Sequence, residues 1–266
     1  MQYRLGFIGC GNMAQAIAAG AIEQRVLAPT DIIASDPSDE NRGVFSQWGC
    51  STTHDNGEVA AQAEQILLAV KPQIYPKVAP DLSSALNDSQ VLISIMAGLS
   101  SAKIAEAIGS PCRVVRVMPN TPAMVGQGMA GIALGGSAQA GDDALAKQLF
   151  AAVGQVVELD EPMIDAINAI SGSGPAYLFY LAEAMEQAAA QLGLGEQARQ
   201  IVAQTLFGSA KLLAETGEDP VELRRKVTSP GGTTLAASNH MDAKAVQPAI
   251  VDAIRAAYDR AKELGA

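Results

Sequence analysis

The stretch from Tyr3 to Gly20 constrains the fold more than any other. A short apolar strand (Tyr3, Leu5, Phe7, Ile8) runs into Gly9-Cys10-Gly11-Asn12-Met13-Ala14 and then into an Ala- and Ile-rich helix. Gly9 permits a tight turn out of the strand, Gly11 leaves backbone bare where a pyrophosphate would touch it, and Ala14 lets the helix pack closely on a sheet. The free N–H groups at such a helix start hold an anion. Glycine-rich strand-to-helix turns are common. This one opens the chain, follows a strand, starts a helix and precedes a second strand ending at Ser35-Asp36, a context that favours a dinucleotide site over a ligand-free βα turn.

Behind that turn, apolar runs rich in β-branched residues alternate with Ala-rich helical patterns over the first 161 residues. That rhythm builds a parallel sheet through βαβ crossovers. Strands are predicted at residues 5–8, 31–35, 65–70, 91–95 and 114–117, with 131–134 and 156–158 extending the sheet. Helices are predicted at 13–25, 72–86, 102–108 and 144–153. The reading is an α/β chain with a Rossmann-type domain over residues 1–161. From Pro162 only helical patterns follow, so residues 162–266 are predicted to form an all-α domain. Ile201, Val202, Thr205, Leu206, Ser209, Leu212 and Leu213 share one face at helical spacing, as do Val246, Ile250, Ile254, Ala257, Tyr258, Ala261 and Leu264. Such stripes are usually internal core, but long Ala-rich helices also pack efficiently copy against copy, and an oligomer is expected.

The formal net charge of −10 argues against nucleic acid or an anionic membrane as partner, since both reward clustered Lys and Arg. Cys10, Cys50 and Cys112 lack metal-type spacing and read as free thiols of a reducing compartment. With His54 and His240 the only histidines, neither a zinc site nor a Ser/His/Asp triad is indicated, and no metal is expected. The first strand begins too early to leave room for a signal or transit peptide, so a cytoplasmic location is expected. The uncharged run 166–182 nearly has the length of a membrane span, but Asn168, Ser171, Ser173 and Pro175 spoil it, and it reads as a buried helix.

Ligands of open α/β sheets bind outside the carboxyl ends of the strands, so the turns there carry the chemistry. Besides the glycine loop these are Ser35-Asp36-Pro37, Ala69-Val70-Lys71-Pro72 and Met96-Ala97-Gly98, the last placing small residues where a nicotinamide ribose would approach backbone. Lys71 reads equally well as a solvated cation. Met118-Pro119-Asn120-Thr121-Pro122 makes a rigid corner after the next strand, with a purely structural turn as the alternative. In the helical half, Ser171-Gly172-Ser173-Gly174-Pro175-Ala176-Tyr177 puts two glycines inside a helical pattern at about 1 kcal/mol each relative to Ala, which implies close approach to that backbone, by a ligand or by a crossing helix. Val227-Thr228-Ser229-Pro230-Gly231-Gly232-Thr233-Thr234 is a Gly-Gly turn flanked by hydroxyls and leading into a helix. It suits a carboxylate, the plainer alternative being a capped helix start.

Five of these blocks, in this order and across nearly the whole chain, resemble pyrroline-5-carboxylate reductase: the glycine loop, Ala69–Pro72, Met118–Pro122, Ser171–Tyr177 and Thr228–Thr234. The last two are the most specific. The resemblance implies reduction of 1-pyrroline-5-carboxylate, a cyclic imino acid, to L-proline by hydride transfer from NAD(P)H, the last step of proline biosynthesis. It also implies a helical C-terminal dimerisation domain and a homodimer that can assemble into a decamer. Carried over residue by residue, it makes Ile8, Gly9, Cys10, Gly11, Asn12, Met13, Ala69, Val70, Lys71 and Pro72 cofactor contacts, with Met96, Ala97 and Gly98 near the nicotinamide. Asn56 would help hold the adenine ribose phosphate beside Ser35. Ser229, Gly231, Gly232, Thr233 and Thr234 would hold the substrate, with the Thr234 hydroxyl on the ring nitrogen as the catalytic contact.

Asp36 departs from the pattern of many NADP-using members. A carboxylate there would hydrogen-bond a ribose 2′-OH and repel a 2′-phosphate unless Arg42 neutralises it, so NADP is expected with NAD as the alternative. Two rival readings stand beside this one. A β-hydroxyacid dehydrogenase would carry a catalytic Lys four residues after Gly174, where this chain has Leu178. A nucleotide-sensing protein would bind NADP without turnover and leave the Gly-Gly turn without a purpose.

Overall fold

In a computed structural model that describes residues 1–87, 89–109 and 112–265, the chain forms two compact units. One comprises Met1–Ser173 together with Ala257–Ala266, the other Gly174–Ala256. The first unit runs β1 (Tyr3–Ile8), α1 (Asn12–Glu23), β2 (Ile32–Ser35), α2 (Asp39–Gln47), β3 (Ser51–Thr53), α3 (Asn56–Gln62), β4 (Ala63–Leu68), α4 (Tyr75–Ser83), β5 (Val91–Ser94), α5 (Ser101–Ile108), β6 (Arg113–Met118), β7 (Gly128–Leu134), α6 (Ala144–Ala151) and β8 (Gly154–Glu158). The strands make one sheet in the order β3-β2-β1-β4-β5-β6-β7-β8. The chain reverses direction across the sheet between β1 and β4, the switch point at which a doubly wound fold opens its binding crevice.

Each sheet face buries one helical layer. Ala14, Ile17, Ala18 and Ala21 of α1, Phe45 of α2 and Leu149 and Phe150 of α6 pack with Leu5, Phe7 and Leu67 on one side. Val59 and Ala60 of α3, Tyr75, Val78 and Leu82 of α4 and Ile104 and Ile108 of α5 pack with Ile8, Ile33 and Leu68 on the other. Strands covered on both faces read as continuous apolar runs, which is why most were legible.

The structure refines the reading at three places. The sheet is not wholly parallel, because β7 pairs antiparallel with β6. Only a short 3₁₀ turn, Thr121–Val125, separates them, too little chain for a parallel crossover. The Ser-Thr-Thr strand β3 lacks an apolar run and is stabilised by its pairing with β2 at the sheet edge, so hydrophobic patterning passes over it. The run 166–182 is not one buried helix. It divides into α7 (Ile164–Ile167), a π-helical turn at Asn168–Gly172 and α8 (Gly174–Gln191). On α8, Phe179 is 63% and Tyr180 76% exposed.

Helical patterning begins at Pro162, yet the segment up to Ser173 belongs with the sheet, since Ile164 and Ile167 pack on Met118, Ala133 and Ala97. The second unit contains α8, α9 (Ala198–Thr216), α10 (Pro220–Lys226) and α11 (Thr233–Ala243), and the last helix, α12 (Val246–Gly265), starts within it. Val202 is buried, as read from its stripe, but Ile201, Leu212, Leu213, Val246 and Ile250 remain exposed. No helix among the described residues is long and apolar enough to cross a membrane.

Candidate active site

The glycine loop leaves β1 at the carboxyl edge of the sheet and is tied down on both sides. Gly9 N–H donates to the Ser35 carbonyl at 2.8 Å, and Ala69 N–H donates to the Ile8 carbonyl at 2.8 Å. Gly9 has φ +95°, and a Cβ there would stand 2.8 Å from the Ala69 carbonyl oxygen, so turn geometry and the neighbouring strand both demand glycine. Gly11 differs. It is the N-cap of α1 at φ −71°, a Cβ on it would meet nothing within 4 Å, and no side chain caps the helix. Open space in front of uncapped N–H groups at the positive end of a helix fits a pyrophosphate.

The other candidate cofactor residues line the same edge. Ser35 and Asn56 are brought together, the Ser35 hydroxyl donating to Asn56 Oδ1 at 2.7 Å. Asn56 Nδ2 donates in turn to Asp81 Oδ2 at 2.9 Å, which fixes the amide orientation and leaves its oxygen toward Ser35. Ala69-Val70-Lys71-Pro72 follows β4, with Val70 packed against the core and Lys71 exposed. Met96-Ala97-Gly98 follows β5. Met96 is buried, Ala97 packs against Met118, and Gly98 turns at φ +75°. Ile8 and Met96 thus give their side chains to the core, and only their backbone reaches the edge. Met13 likewise packs against the α1 face of the core, whereas the Asn12 side chain lies exposed beside it.

Asp36, expected at the ribose, has these partners within the protein. Its Oδ2 accepts the N–H of Cys10 at 2.7 Å, and its Oδ1 accepts Ser38 N–H at 2.8 Å and Asn41 Nδ2 at 3.3 Å. Arg42 reaches the Asp36 backbone carbonyl rather than the carboxylate. The carboxylate therefore latches the glycine loop to the end of β2. Burial, and then the Asp36 charge, push the Cys10 thiol up to about 12, so it stays protonated at neutral pH. All three cysteines are free. With this latch in place, Asp36→Ser is expected to weaken NADP⁺ and NAD⁺ binding alike, by about three- to tenfold because the lost bond orders the loop and does not touch the nucleotide, with their ratio nearly constant. Titration of both nucleotides checks this, and a selective gain for NADP⁺ would restore the ribose assignment.

In the helical unit, Ser229, Gly231, Gly232, Thr233 and Thr234 form one turn. Gly231 has φ +69°, Gly232 N–H donates to the Ser229 carbonyl at 3.0 Å, and α11 starts at Thr233 with Gly232 as an N-cap lacking any side-chain bond. It is therefore not a side-chain-capped helix start. The N–H groups of the first turn stand free for an anion, as a carboxylate site requires. Thr233 is exposed and Thr234 half-buried, so the two hydroxyls point to different surroundings. Thr228, by contrast, spends its hydroxyl on the Arg224 carbonyl at 2.7 Å.

Sequence reasoning missed Asp81, Asn41 and the function of Asn120. Asn120 Nδ2 donates to the Ser171 carbonyl at 3.2 Å and to its Oγ at 3.0 Å, while Oδ1 accepts Met129 N–H at 2.9 Å. It joins the Met118–Pro122 corner to the π-helical turn. Both motifs stood out in the sequence, but nothing local paired them.

Among the described residues no group of three or more His, Cys, Asp or Glu could hold a metal. Residues 4–98 match the family described as NADP oxidoreductase, coenzyme F420-dependent, and residues 161–264 match pyrroline-5-carboxylate reductase dimerisation. The pyrroline-5-carboxylate reductase of Synechocystis is 40% identical over 267 residues, spanning 100% of this chain and 99% of the relative. Among solved structures, a pyrroline-5-carboxylate reductase from Coxiella burnetii superposes with a TM-score of 0.90 at 37% identity, covering 100% of both chains. The Plasmodium falciparum pyrroline carboxylate reductase with NADP bound gives 0.89 at 30% identity, again over 100% of both chains. With relatives at this identity matched along nearly all of both chains, the chain belongs to the pyrroline-5-carboxylate reductase family.

Proposed function

We propose that this chain reduces 1-pyrroline-5-carboxylate to L-proline with NADPH, NADH being the alternative donor. The observation that carries the reading is the pair of uncapped, glycine-built helix starts, one at α1 and one at α11, in a chain with full-length reductase relatives. The bound nicotinamide supplies the hydride, so the protein's work is orientation and electrostatics. Residues 1–161 hold the dinucleotide, with Gly9 to Met13 at the pyrophosphate, Ser35 and Asn56 at the adenine ribose, and Ala69 to Pro72 and Met96 to Gly98 toward the nicotinamide. Residues 162–266 hold the substrate and the partner subunit. Ser229, Gly231, Gly232 and Thr233 bind the carboxylate, and the Thr234 hydroxyl hydrogen-bonds the ring nitrogen. The iminium can arrive protonated, which removes the need for a strong general acid.

The hydroxyacid dehydrogenase reading is not favoured, because Leu178 cannot transfer a proton where that chemistry uses Lys. Loss of absorbance at the reduced-nicotinamide band on adding pyrroline-5-carboxylate, with a 3-hydroxy acid as control, tests the assignment. No turnover of the imine would overturn it, and nucleotide binding without turnover would revive the sensor reading.

The protein works as a cytoplasmic homodimer that can build a decamer, with no nucleic-acid partner. The dimer is supported by the exposed Leu178, Phe179, Tyr180 and Leu181 of α8 and Phe207 of α9, an apolar surface unusual on a soluble monomer. Phe179→Asp is expected to yield monomers by light scattering, since the substitution costs the protomer little but puts a charge into the interface. A variant of unchanged mass would move the interface elsewhere.

A further inference from the structure

The open end of the adenine side holds a cation that the proposed function leaves unused. Arg42 of α2 is almost wholly buried and turns back over the start of its own helix. One guanidinium nitrogen donates to the Asp36 carbonyl. The other meets the Asp39 carboxylate and lies 2.8 Å from His54 Nε2, which must accept because a guanidinium only donates. His54 directly follows β3, so the pair joins the ends of two neighbouring strands beside the Ser35–Asn56 bond. The carboxylate that would repel a 2′-phosphate here, Asp36, is turned into the glycine loop. The anion that does lie on Arg42 is Asp39, whose side chain is 90% exposed and also stands 3.9 Å from His54 Nε2. Asp39 is the open member of the pair and Arg42 the buried one, so the Asp39 carboxylate can give way to another anion while the guanidinium stays in place.

We propose that Arg42, oriented by its bond to His54, distinguishes the 2′-phosphate of NADP from the 2′-hydroxyl of NAD, and that Asp39 is a built-in competitor occupying Arg42 until the phosphate displaces it. The proposal rests on the cofactor site of the proposed function, and it assigns selectivity to α2 and β3 rather than to Asp36. In doubly wound folds the ribose lies at the end of the second strand and a nearby Arg accommodates the 2′-phosphate, which is where this pair stands. A guanidinium held by a backbone carbonyl is pre-oriented, so little is lost in ordering it when the phosphate arrives.

The test is calorimetric titration of the full-length protein with NADP⁺ and with NAD⁺, which differ only in the 2′-phosphate and need no turnover. Arg42→Met is expected to weaken NADP⁺ by roughly ten- to a hundredfold while leaving NAD⁺ within about twofold. Because Arg42 also braces Asp36, the surface variants provide an arm that does not depend on packing. Asp39→Asn is expected to tighten NADP⁺ by about two- to fivefold with NAD⁺ unchanged, and His54→Leu to weaken NADP⁺ alone. Equal binding of both nucleotides by the parent, or an Asp39→Asn ratio identical to the parent's, would overturn the proposal while leaving the reductase assignment intact. A parent that binds neither nucleotide would overturn the cofactor site itself.

Discussion

Gly11→Val is expected to give a folded protein that has lost at least about a hundredfold in dinucleotide affinity, the equivalent of nearly 3 kcal/mol. The two halves of that outcome have separate causes. The protein tolerates the side chain because Gly11 has an ordinary φ of −71° and no atom lies within 4 Å of where a Cβ would stand. The cofactor does not, because that same space is where a pyrophosphate must reach the N–H groups at the start of α1. Gly9 is the control. Its φ of +95° and the Ala69 carbonyl 2.8 Å from a Cβ position mean that Gly9→Ala should strain the backbone itself, at about 1–3 kcal/mol. Thermal denaturation and nucleotide titration of both variants separate the effects: an unshifted Tm with lost binding for Gly11→Val, a lowered Tm for Gly9→Ala. A Gly11→Val protein with parental affinity would remove the phosphate site from this loop.

Thr234→Ala is expected to lower kcat/KM by about ten- to a hundredfold while NADPH binds normally, since one hydrogen bond to a charged group is worth roughly 1.5–3 kcal/mol. Thr233→Ala should stay within a few-fold of the parent. Successive residues entering α11 point in different directions, and the protomer already treats the two unequally, Thr233 being exposed and Thr234 half-buried. Steady-state kinetics on the imine with both variants decides. Equal losses, or full activity in Thr234→Ala, would mean that water or another group meets the ring nitrogen.

By itself the sequence determined the alternation of strands and helices, the glycine loop and the Gly-Gly turn. These are local properties: a glycine's access to positive φ at Gly9 and Gly231, and apolar runs that stay legible because both faces of the sheet are covered. Tertiary structure alone decided the rest. The direction of β7 followed from the length of its connection to β6, and β3 existed only through its pairing with β2. The apolar side chains of α8 could be recognised as apolar from the sequence, but not as exposed, because hydropathy says that a residue seeks cover and not which surface supplies it. The long-range side-chain pairs were decided the same way. Asp36 turned to Cys10, Arg42 met His54, Asn56 met Asp81 and Asn120 met Ser171, each pair joining residues well apart in the chain. Their donors and acceptors are satisfied by whatever the fold brings within about 3 Å, and no local pattern encodes that distance.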